Sequence, residues 1–527
     1  VNDLRIGIDV GGTNTDAVVV SPDGTVVDWH KTATTDDLFD GIDTALRKVL
    51  STCGADAVRQ VMLGTTHPVN AIIGRSGLAR VGVLRVAAPA TLSISPLASW
   101  PQDLADLVVG HVAIVRGGHE FQGDPLVDLD RDAIRRFALD CRDTVAAVAI
   151  TGLNSPANPE HEQEALRIVT EVLGPDVPVT VGHEVGGLGL LERENSAVLN
   201  AALTRIGRTV VEGLEQSLAR RGVGTDVYLT QNDGTLLAAD EAVRRPVLTL
   251  GSGPTNSMRG AAFLSGLDDA IVMDVGGTST DVGMLVGSFP RESAFAVEIG
   301  GVRTNYRMPD LLAVGLGGGS IVEPSEPVRV GPDSVGHRIT TMARGFGGDV
   351  LTLTDVSAIC GRTTVPQPDR CTDIDPATAA SILAVSDERL RVLADRIKAS
   401  RANLPLVAVG GGAHVVPDSI PGVTQVVRPP HGAVANAIGA AIAEASGTVD
   451  RTYRYDDSSR DDCLAQARRD AELEAVRAGA DATAVRVTAL TEVPLGYMPG
   501  RCARVQVKAV GPLLTVQDTP ESAQQFA

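Results

Sequence analysis

The sequence predicts an α/β protein of more than one domain, with a cleft suited to phosphate. Three observations carry that prediction. Strand-like apolar runs alternate with helical spacings through most of the chain, the pattern of sheets covered by helices. At 527 residues the chain exceeds what one hydrophobic core normally serves, so two or three domains are expected. Finally, an eight-residue string occurs twice, as Asp9-Val10-Gly11-Gly12-Thr13-Asn14-Thr15-Asp16 and as Asp274-Val275-Gly276-Gly277-Thr278-Ser279-Thr280-Asp281, with a single difference between the copies.

Each copy follows one apolar run (Ile6 and Ile8; Ile271 to Met273) and precedes another (Ala17 to Val20; Val282 to Val286), so each reads as strand, glycine turn, strand. Adjacent glycines bring backbone N–H groups close to a polyphosphate without a Cβ in the way. Thr13, Thr15, Thr278 and Thr280 add hydroxyl donors, and Asn14 and Ser279 complete the turns. Asp9 and Asp274 supply hard oxygens suited to Mg²⁺, which keeps much of its water. A single copy reads equally well as a tight hairpin with a capping Asp; the pair points to two phosphate hairpins facing each other.

Along the chain, Thr25 to His30 reads as a strand and Asp36 to Leu50 as a helix capped by Asp36. Strand Gln60 to Leu63 leads into a loop, Gly64 to Ile73. Strands at Ala79 to Val86, Val108 to Val115 and Ala146 to Ile150 alternate with helices at Asp130 to Asp140 and Pro159 to Leu173. A long amphipathic segment, Glu192 to Arg221, suits a helix connecting two lobes. Strand Val227 to Thr230 follows, then Gly251-Ser252-Gly253-Pro254 opening a small-residue helix through Ala262. Glycine turns come at Gly315 to Ser320 and at Gly410-Gly411-Gly412, and Ala433 to Ala445 reads as a closely packed helix. Residues 449–456 read as a polar linker, Arg460 to Ala478 as a helix, and Ala484 to Leu490 and Ala503 to Val510 as strands. The tail beyond Val516 is expected to fray.

Composition narrows the function classes. A net charge of −19 argues against nucleic acid and anionic membrane as partners. Lys31, Lys48, Lys398 and Lys508 are the only lysines and no Gly-Lys-Ser/Thr occurs, which excludes a P-loop. Six scattered cysteines read as thiols of a reducing compartment. The first residues run straight into a strand and no apolar stretch is long enough to span a bilayer, so a cytoplasmic protein is expected.

The order of motifs resembles the actin, hexokinase and heat-shock-chaperone ATPases, in which two ribonuclease-H-like lobes flank a nucleotide cleft. More narrowly, Gly7 to Thr13, Gly64-Thr65-Thr66 with Asn70-Ala71-Ile72, Ser252-Gly253-Pro254, Asp274 to Asp281, Gly317 to Ile321, Leu353 to Val356, and Val493-Pro494-Leu495 with Tyr497 to Gly500 resemble the short A-type subunits of the hydantoinase/oxoprolinase family. The chain departs from longer members in lacking an extended C-terminal region, and carries Asn14 where many have an aromatic residue.

The resemblance implies two such lobes at 1–185 and 186–448, with a small C-terminal α+β segment at 449–527. It implies ATP and Mg²⁺ as cofactors and ATP-driven opening of a cyclic amide such as a hydantoin, 5-oxoproline or a lactam. The carbonyl oxygen is phosphorylated and water attacks the activated carbon. Asp9 and Asp274 are the expected catalytic and metal-holding carboxylates. Gly11, Gly12, Thr13, Asn14 and Thr15 would face one side of the phosphates, and Gly276, Gly277, Thr278, Ser279 and Thr280 the other. Gly317 and Gly318 are a further phosphate turn, and Gly410, Gly411 and Gly412 lie against the adenosine. Helices Glu194 to Ala202 and Ala433 to Ala443 are expected to cross at the hinge. Thr65, Thr66, His67 and Asn70 are the expected substrate contacts. A separate B-type hydrolytic subunit and an oligomeric assembly are expected partners. Rival readings are a partner-remodelling ATPase, a small-molecule kinase and the ATP-using subunit of a ketone carboxylase.

Overall fold

The computed structural model describes residues 3–33, 38–293, 296–325, 327–456, 458–496 and 500–514. Asp36, Tyr497-Met498-Pro499 and the tail beyond Val516 lie outside the described residues.

The apolar run before each repeated string forms a buried central strand, and the run after it folds back antiparallel. Leu4–Val10 pairs with Asn14–Val20, and Ala270–Val275 with Thr280–Val286. A parallel strand closes on the other side of each central strand, Val58–Thr65 in the first lobe and Leu404–Val409 in the second. Sequence similarity between the copies thus becomes similarity of two sheets. Among the described residues the second sheet has six strands, counting Leu311–Val314, which pairs with its hairpin off the main path. The first has nine.

Those nine come from distant parts of the chain. Beyond Val58–Thr65 the sheet continues through Asp226–Thr230, Thr235–Ala238, Glu444–Arg454, Cys502–Gly511 and Arg486–Pro494. The boundaries at 185/186 and 448/449 therefore cut across one sheet. The supposed linker at 449–456 is corrected as well: Glu444–Arg454 is a strand, paired along its length with Cys502–Gly511. Its polar residues alternate with buried Ala445, Gly447 and Val449, a period of two that reads as polar when scanned as a run. The preceding helix accordingly stops at Ala441.

Between the hairpin and the rest of its sheet is inserted a four-stranded parallel sheet, ordered Val109–Arg116, Val81–Ala88, Ala147–Gly152, Val179–Val181. Helices Arg131–Cys141 and Glu160–Leu173 cover it; Asp130 caps the former by accepting from the Ala133 N–H at 2.9 Å. The long helix Leu190–Ala219 leads back from this insertion to the first sheet.

The lobes meet through two short-residue helices. Ser252–Ser265 crosses Ala435–Ala441 so closely that a Cβ on Gly260 would stand 1.9 Å from the Ala435 carbonyl oxygen, and one on Gly439 1.9 Å from that of Asn256. The expected hinge helix Glu194 to Ala202 is thus replaced by Ser252–Ser265. Its small side chains permit the backbone approach; the long helix instead packs its first half on the insertion and its second half, through Val210, Leu214 and Leu218, on the first sheet. No helix among the described residues is long and apolar enough to cross a membrane.

Candidate functional site

The two turns close in the same way. Gly11 N–H donates to Asn14 O and Gly276 N–H to Ser279 O, each at 2.9 Å. Two residues at each tip, Gly12 and Thr13 and again Gly277 and Thr278, leave their backbone N–H groups without a partner among the described residues. Donors held open in a tight turn form an anion-binding concavity. A Cβ on Gly12 would meet nothing within 4 Å.

Behind the turns stand paired carboxylates, Asp9 opposite Asp16 and Asp274 opposite Asp281. Asp9 is 3% exposed and accepts from Asn256 Nδ2 on one oxygen and Asn436 Nδ2 on the other, both at 3.0 Å. The same Asn436 amide reaches Asp16 at 2.9 Å. Ser257 Oγ donates to Asp274 at 2.5 Å. The interlobe helices therefore bring a hydrogen bond to each jaw: Asn256 and Ser257 from one, Asn436 from the other.

Burial pushes Asp9 up to about 6; Asn256 and Asn436 oppose the rise while the charges of Asp16 and Asp274 add to it. Burial raises Asp274 too, against the Ser257 hydrogen bond and the Lys31 charge. Asp281 is pushed up to about 7 by burial and by Asp274. Adjacent residues of one helix, Asn256 and Ser257, bond Asp9 and Asp274 respectively, so the two jaws stand beside each other.

Strands sort the remaining expected contacts. Asn14 and Asp16 share one face of their strand, so Thr15 points the other way and is fully buried, over Gly41. Thr280 is likewise buried and gives its hydroxyl to Leu316 O at 2.6 Å. Neither threonine faces the gap. Gly317 and Gly318 spend their N–H groups on Ser320 Oγ and Gly276 O, so this turn buttresses the second hairpin from behind. Gly410 adopts φ +85°, and a Cβ there would stand 2.3 Å from Asp274 Oδ1; Gly412 N–H donates to Val275 O at 2.8 Å. Gly411 is exposed at the tip with open space beside it. Gly64 has the corresponding place in the first lobe, where a Cβ would stand 2.4 Å from Asp9 Oδ1.

The Gly64 to Asn70 loop is pinned to the first hairpin, since Thr66 gives both its N–H and its hydroxyl to Val10 O. His67 and Asn70 lie at the surface, and partial desolvation of the ring by its surroundings lowers the His67 pKa. Thr65 is 1% exposed, with its hydroxyl accepting from His67 N–H; it shapes the loop from below.

Family comparison decides the identity. The hydantoinase/oxoprolinase N-terminal region matches residues 5–173, and the hydantoinase/oxoprolinase domain matches residues 193–367. The chain belongs to the hydantoinase/oxoprolinase family. This hydantoinase/oxoprolinase member is 29% identical over 399 residues to caprolactamase subunit alpha of Pseudomonas jessenii, covering 68% of this chain and 54% of that protein. It is 28% identical over 397 residues to the acetophenone carboxylase gamma subunit of Aromatoleum aromaticum, covering 68% and 53%. The chain thus spans about half the length of these curated relatives. The crystal structure of the ATP-dependent caprolactamase from Pseudomonas jessenii superposes with a TM-score of 0.76 at 21% identity, over 97% of this chain and 88% of that one. The α/β fold expected from the sequence is thus the fold of that caprolactamase.

Sequence reasoning missed Lys31, Asn256, Ser257 and Asn436 in this family member. Asn256 and Ser257 sit one turn beyond the Ser252-Gly253-Pro254 motif, and a helix opening toward two glycine hairpins was the available signal. Nothing local marks Asn436 or Lys31.

Proposed function

We propose that this protein uses ATP to open a cyclic amide such as a hydantoin, 5-oxoproline or a related lactam through a phosphorylated intermediate, as the ATP-using subunit beside a separate B-type partner. The observation that supports this reading is the pair of facing hairpins, each with two open N–H groups and a buried carboxylate behind them. An unstrained amide is a poor electrophile, and phosphorylating its oxygen creates a leaving group. That step needs placement and charge neutralisation more than covalent chemistry by the protein.

The residues fit Mg²⁺. Asp9 and Asp274 are hard oxygen donors whose proton affinity is raised chiefly by burial and further by the Asp16 charge, a repulsion that a cation relieves. Among the described residues no three His, Cys, Asp or Glu side chains gather as a full protein cage, so water and phosphate would complete the shell. When bound, Mg²⁺ supplies positive charge against the triphosphate. Gly12, Thr13, Gly277 and Thr278 donate to phosphate oxygens, Asn256 and Asn436 hold Asp9 in its ionised orientation, and His67 and Asn70 border the ring.

ADP release measured with hydantoins, 5-oxoproline and lactams tests the reading, with the opened acid as the expected product. ATP turnover that responds only to a protein partner would replace it with a remodelling ATPase, and a stable phosphorylated product would indicate a kinase. Similarity of the same order to an acetophenone carboxylase subunit supports a second reading, ketone carboxylation; ADP release that needs ketone plus bicarbonate would select it. Asp274→Asn should abolish turnover with the fold intact by circular dichroism.

A further inference from the structure

Two motifs of the sequence, Gly317 to Ile321 and Leu353 to Val356, meet at a side chain outside the hairpins, His414. Thr352 opens the helix Leu353–Ile359 with a capping box, in which Asp355 accepts from the Thr352 N–H at 2.8 Å. The turn so fixed presents Thr354, which is 5% exposed, to Gly318. Thr354 gives its N–H and its hydroxyl proton to Gly318 O, at 2.9 and 2.8 Å. The hydroxyl oxygen also lies 3.1 Å from His414 Nε2. A hydroxyl has one hydrogen, and this one is spent on Gly318, so the oxygen can only accept from the ring. The imidazole proton therefore sits on Nε2 and the lone pair on Nδ1. Burial, joined by the Arg428 charge, pushes the ring down to about 4, so it is neutral at neutral pH. Nδ1 makes no hydrogen bond among the described residues and is open to solvent.

His414 lies on the turn whose glycines press on the second carboxylate. N–H groups of Ala413, Val415 and Val416 donate to Gly410 O, Gly412 O and Ala413 O, and in a turn built on such i→i+3 bonds residues three apart eclipse. His414 therefore stands over Gly411, the exposed tip with open space beside it. Arg428 braces the turn through the carbonyl oxygens of Ala413 and Val416. Gly318 alone separates the ring from the second hairpin: a Cβ there would lie 3.8 Å from His414 Cε1, and the Gly318 N–H donates to Gly276 O at 3.0 Å. A Cβ on Gly412 would stand 2.8 Å from that same carbonyl oxygen. A nucleotide whose phosphates lie on the hairpin carries its base one ribose away, and a bare glycine tip lets a flat ring approach the backbone. At the edge of that tip His414 offers an acceptor of fixed orientation.

We propose that His414 selects adenine nucleotides, with Nδ1 accepting a hydrogen bond from the 6-amino group of the base and Thr354 holding the tautomer that allows it. The proposal rests on the reading of the hairpins as the seat of the ATP phosphates. Adenine presents a donor at its 6-position. Hypoxanthine and guanine present a carbonyl oxygen there, which would face the Nδ1 lone pair with no proton between them. A site built to hydrogen-bond one group rejects the analogue that leaves its own polar atoms unpaired. A ribose hydroxyl both donates and accepts, so either tautomer would satisfy it. Only a partner that donates without accepting makes use of a ring held neutral and fixed in one tautomer.

Titration calorimetry of the chain with Mg·ADP, Mg·IDP (the inosine analogue) and Mg·2′-deoxy-ADP tests this. The wild-type chain should bind ADP about 30-fold more tightly than IDP, and 2′-deoxy-ADP within about threefold of ADP. His414→Ala should bring ADP and IDP within about threefold of each other, with IDP still bound, which also shows that the variant is folded. Thr354→Val keeps the side-chain shape but frees the ring to carry its proton on Nδ1, so it should lower the preference for ADP over IDP by about tenfold. Equal binding of ADP and IDP by the wild-type chain, an unchanged preference in His414→Ala, loss of both nucleotides together in that variant, or discrimination against 2′-deoxy-ADP that disappears with His414 each overturns the assignment of His414. In each of those cases ADP binding by the wild-type chain leaves the reading of the hairpins standing. A wild-type chain that binds none of the three overturns both.

Discussion

Lys31 lies 2.7 Å from Asp16, the residue directly opposite it in the register of the first lobe's strands. The second lobe repeats the carboxylate without the cation. The position opposite Asp281 on the outer strand is Ala313, and the Asp281 side chain makes no hydrogen bond or ion pair among the described residues. Two jaws of one shape thus differ in charge, and the difference has measurable consequences.

Replacing Lys31 by Met leaves Asp16 with Asn436 alone against a buried carboxylate. Lys31 keeps 29% of its side chain exposed, so the loss falls below that of a fully buried pair, at about 1–3 kcal/mol. Urea denaturation of Lys31→Met at neutral pH checks this. A midpoint unchanged from the wild type would mean that solvent already satisfies Asp16.

Asp281 gives stability a pH dependence of definite sign. Its folded-state pKa is raised from 3.8 to about 7, so the folded protein binds more protons than the unfolded chain between those values. Stability contributed by the protonated form is present at the acid end and is lost as pH rises toward 7. Asp281→Asn should flatten this slope and stabilise the nucleotide-free protein at pH 8 by about 1–3 kcal/mol. Thermal melts from pH 5 to pH 8 in the absence of divalent cation would show it, and equal slopes for both proteins would rule it out.

Protons and Mg²⁺ should compete at Asp9. With its pKa pushed up to about 6, Asp9 accepts a proton just where the cation needs the carboxylate. Affinity for Mg·nucleotide, followed by calorimetry, is expected to weaken as pH falls below about 6. Asn436→Ala should move that weakening to higher pH, because the amide hydrogen bond favours the charged form. A profile flat from pH 5 to pH 8 would exclude Asp9 as a ligand.

Gly64 and Gly410 are steric guards of the two carboxylates. A Cβ at Gly64 would stand 2.2 Å from Asn256 Nδ2 and 2.4 Å from Asp9 Oδ1; at Gly410 it would meet Asp274 Oδ1 at 2.3 Å on a backbone of φ +85°. Gly64→Ala and Gly410→Ala should each cost about 1–3 kcal/mol and reduce turnover by about 100-fold. Full activity in either variant would show that its carboxylate tolerates displacement.

Particular residues show where the sequence was legible. The hairpins were readable because everything that makes them is local: apolar runs set the strands, adjacent glycines the turn, and one repeat confirmed the other. Asp9 and Asp274 followed from their place at the strand ends. Thr15 and Thr280 were misassigned although the period of two places them on the face opposite Asp16 and Asp281. Gly317 and Gly318 look like any phosphate turn until their N–H groups are seen to bond the neighbouring hairpin.

By itself the sequence determined an α/β chain with two matching glycine hairpins, each ending in a carboxylate, because those signals act between residues adjacent along the backbone. Only the tertiary structure decided that the C-terminal strands extend the first sheet, that Ser252–Ser265 and Ala435–Ala441 bridge the lobes, and that Asn256 and Asn436 both reach Asp9. Those outcomes depend on which buried surfaces meet and which polar groups must then be paired across hundreds of residues, and spacing along the chain does not encode that.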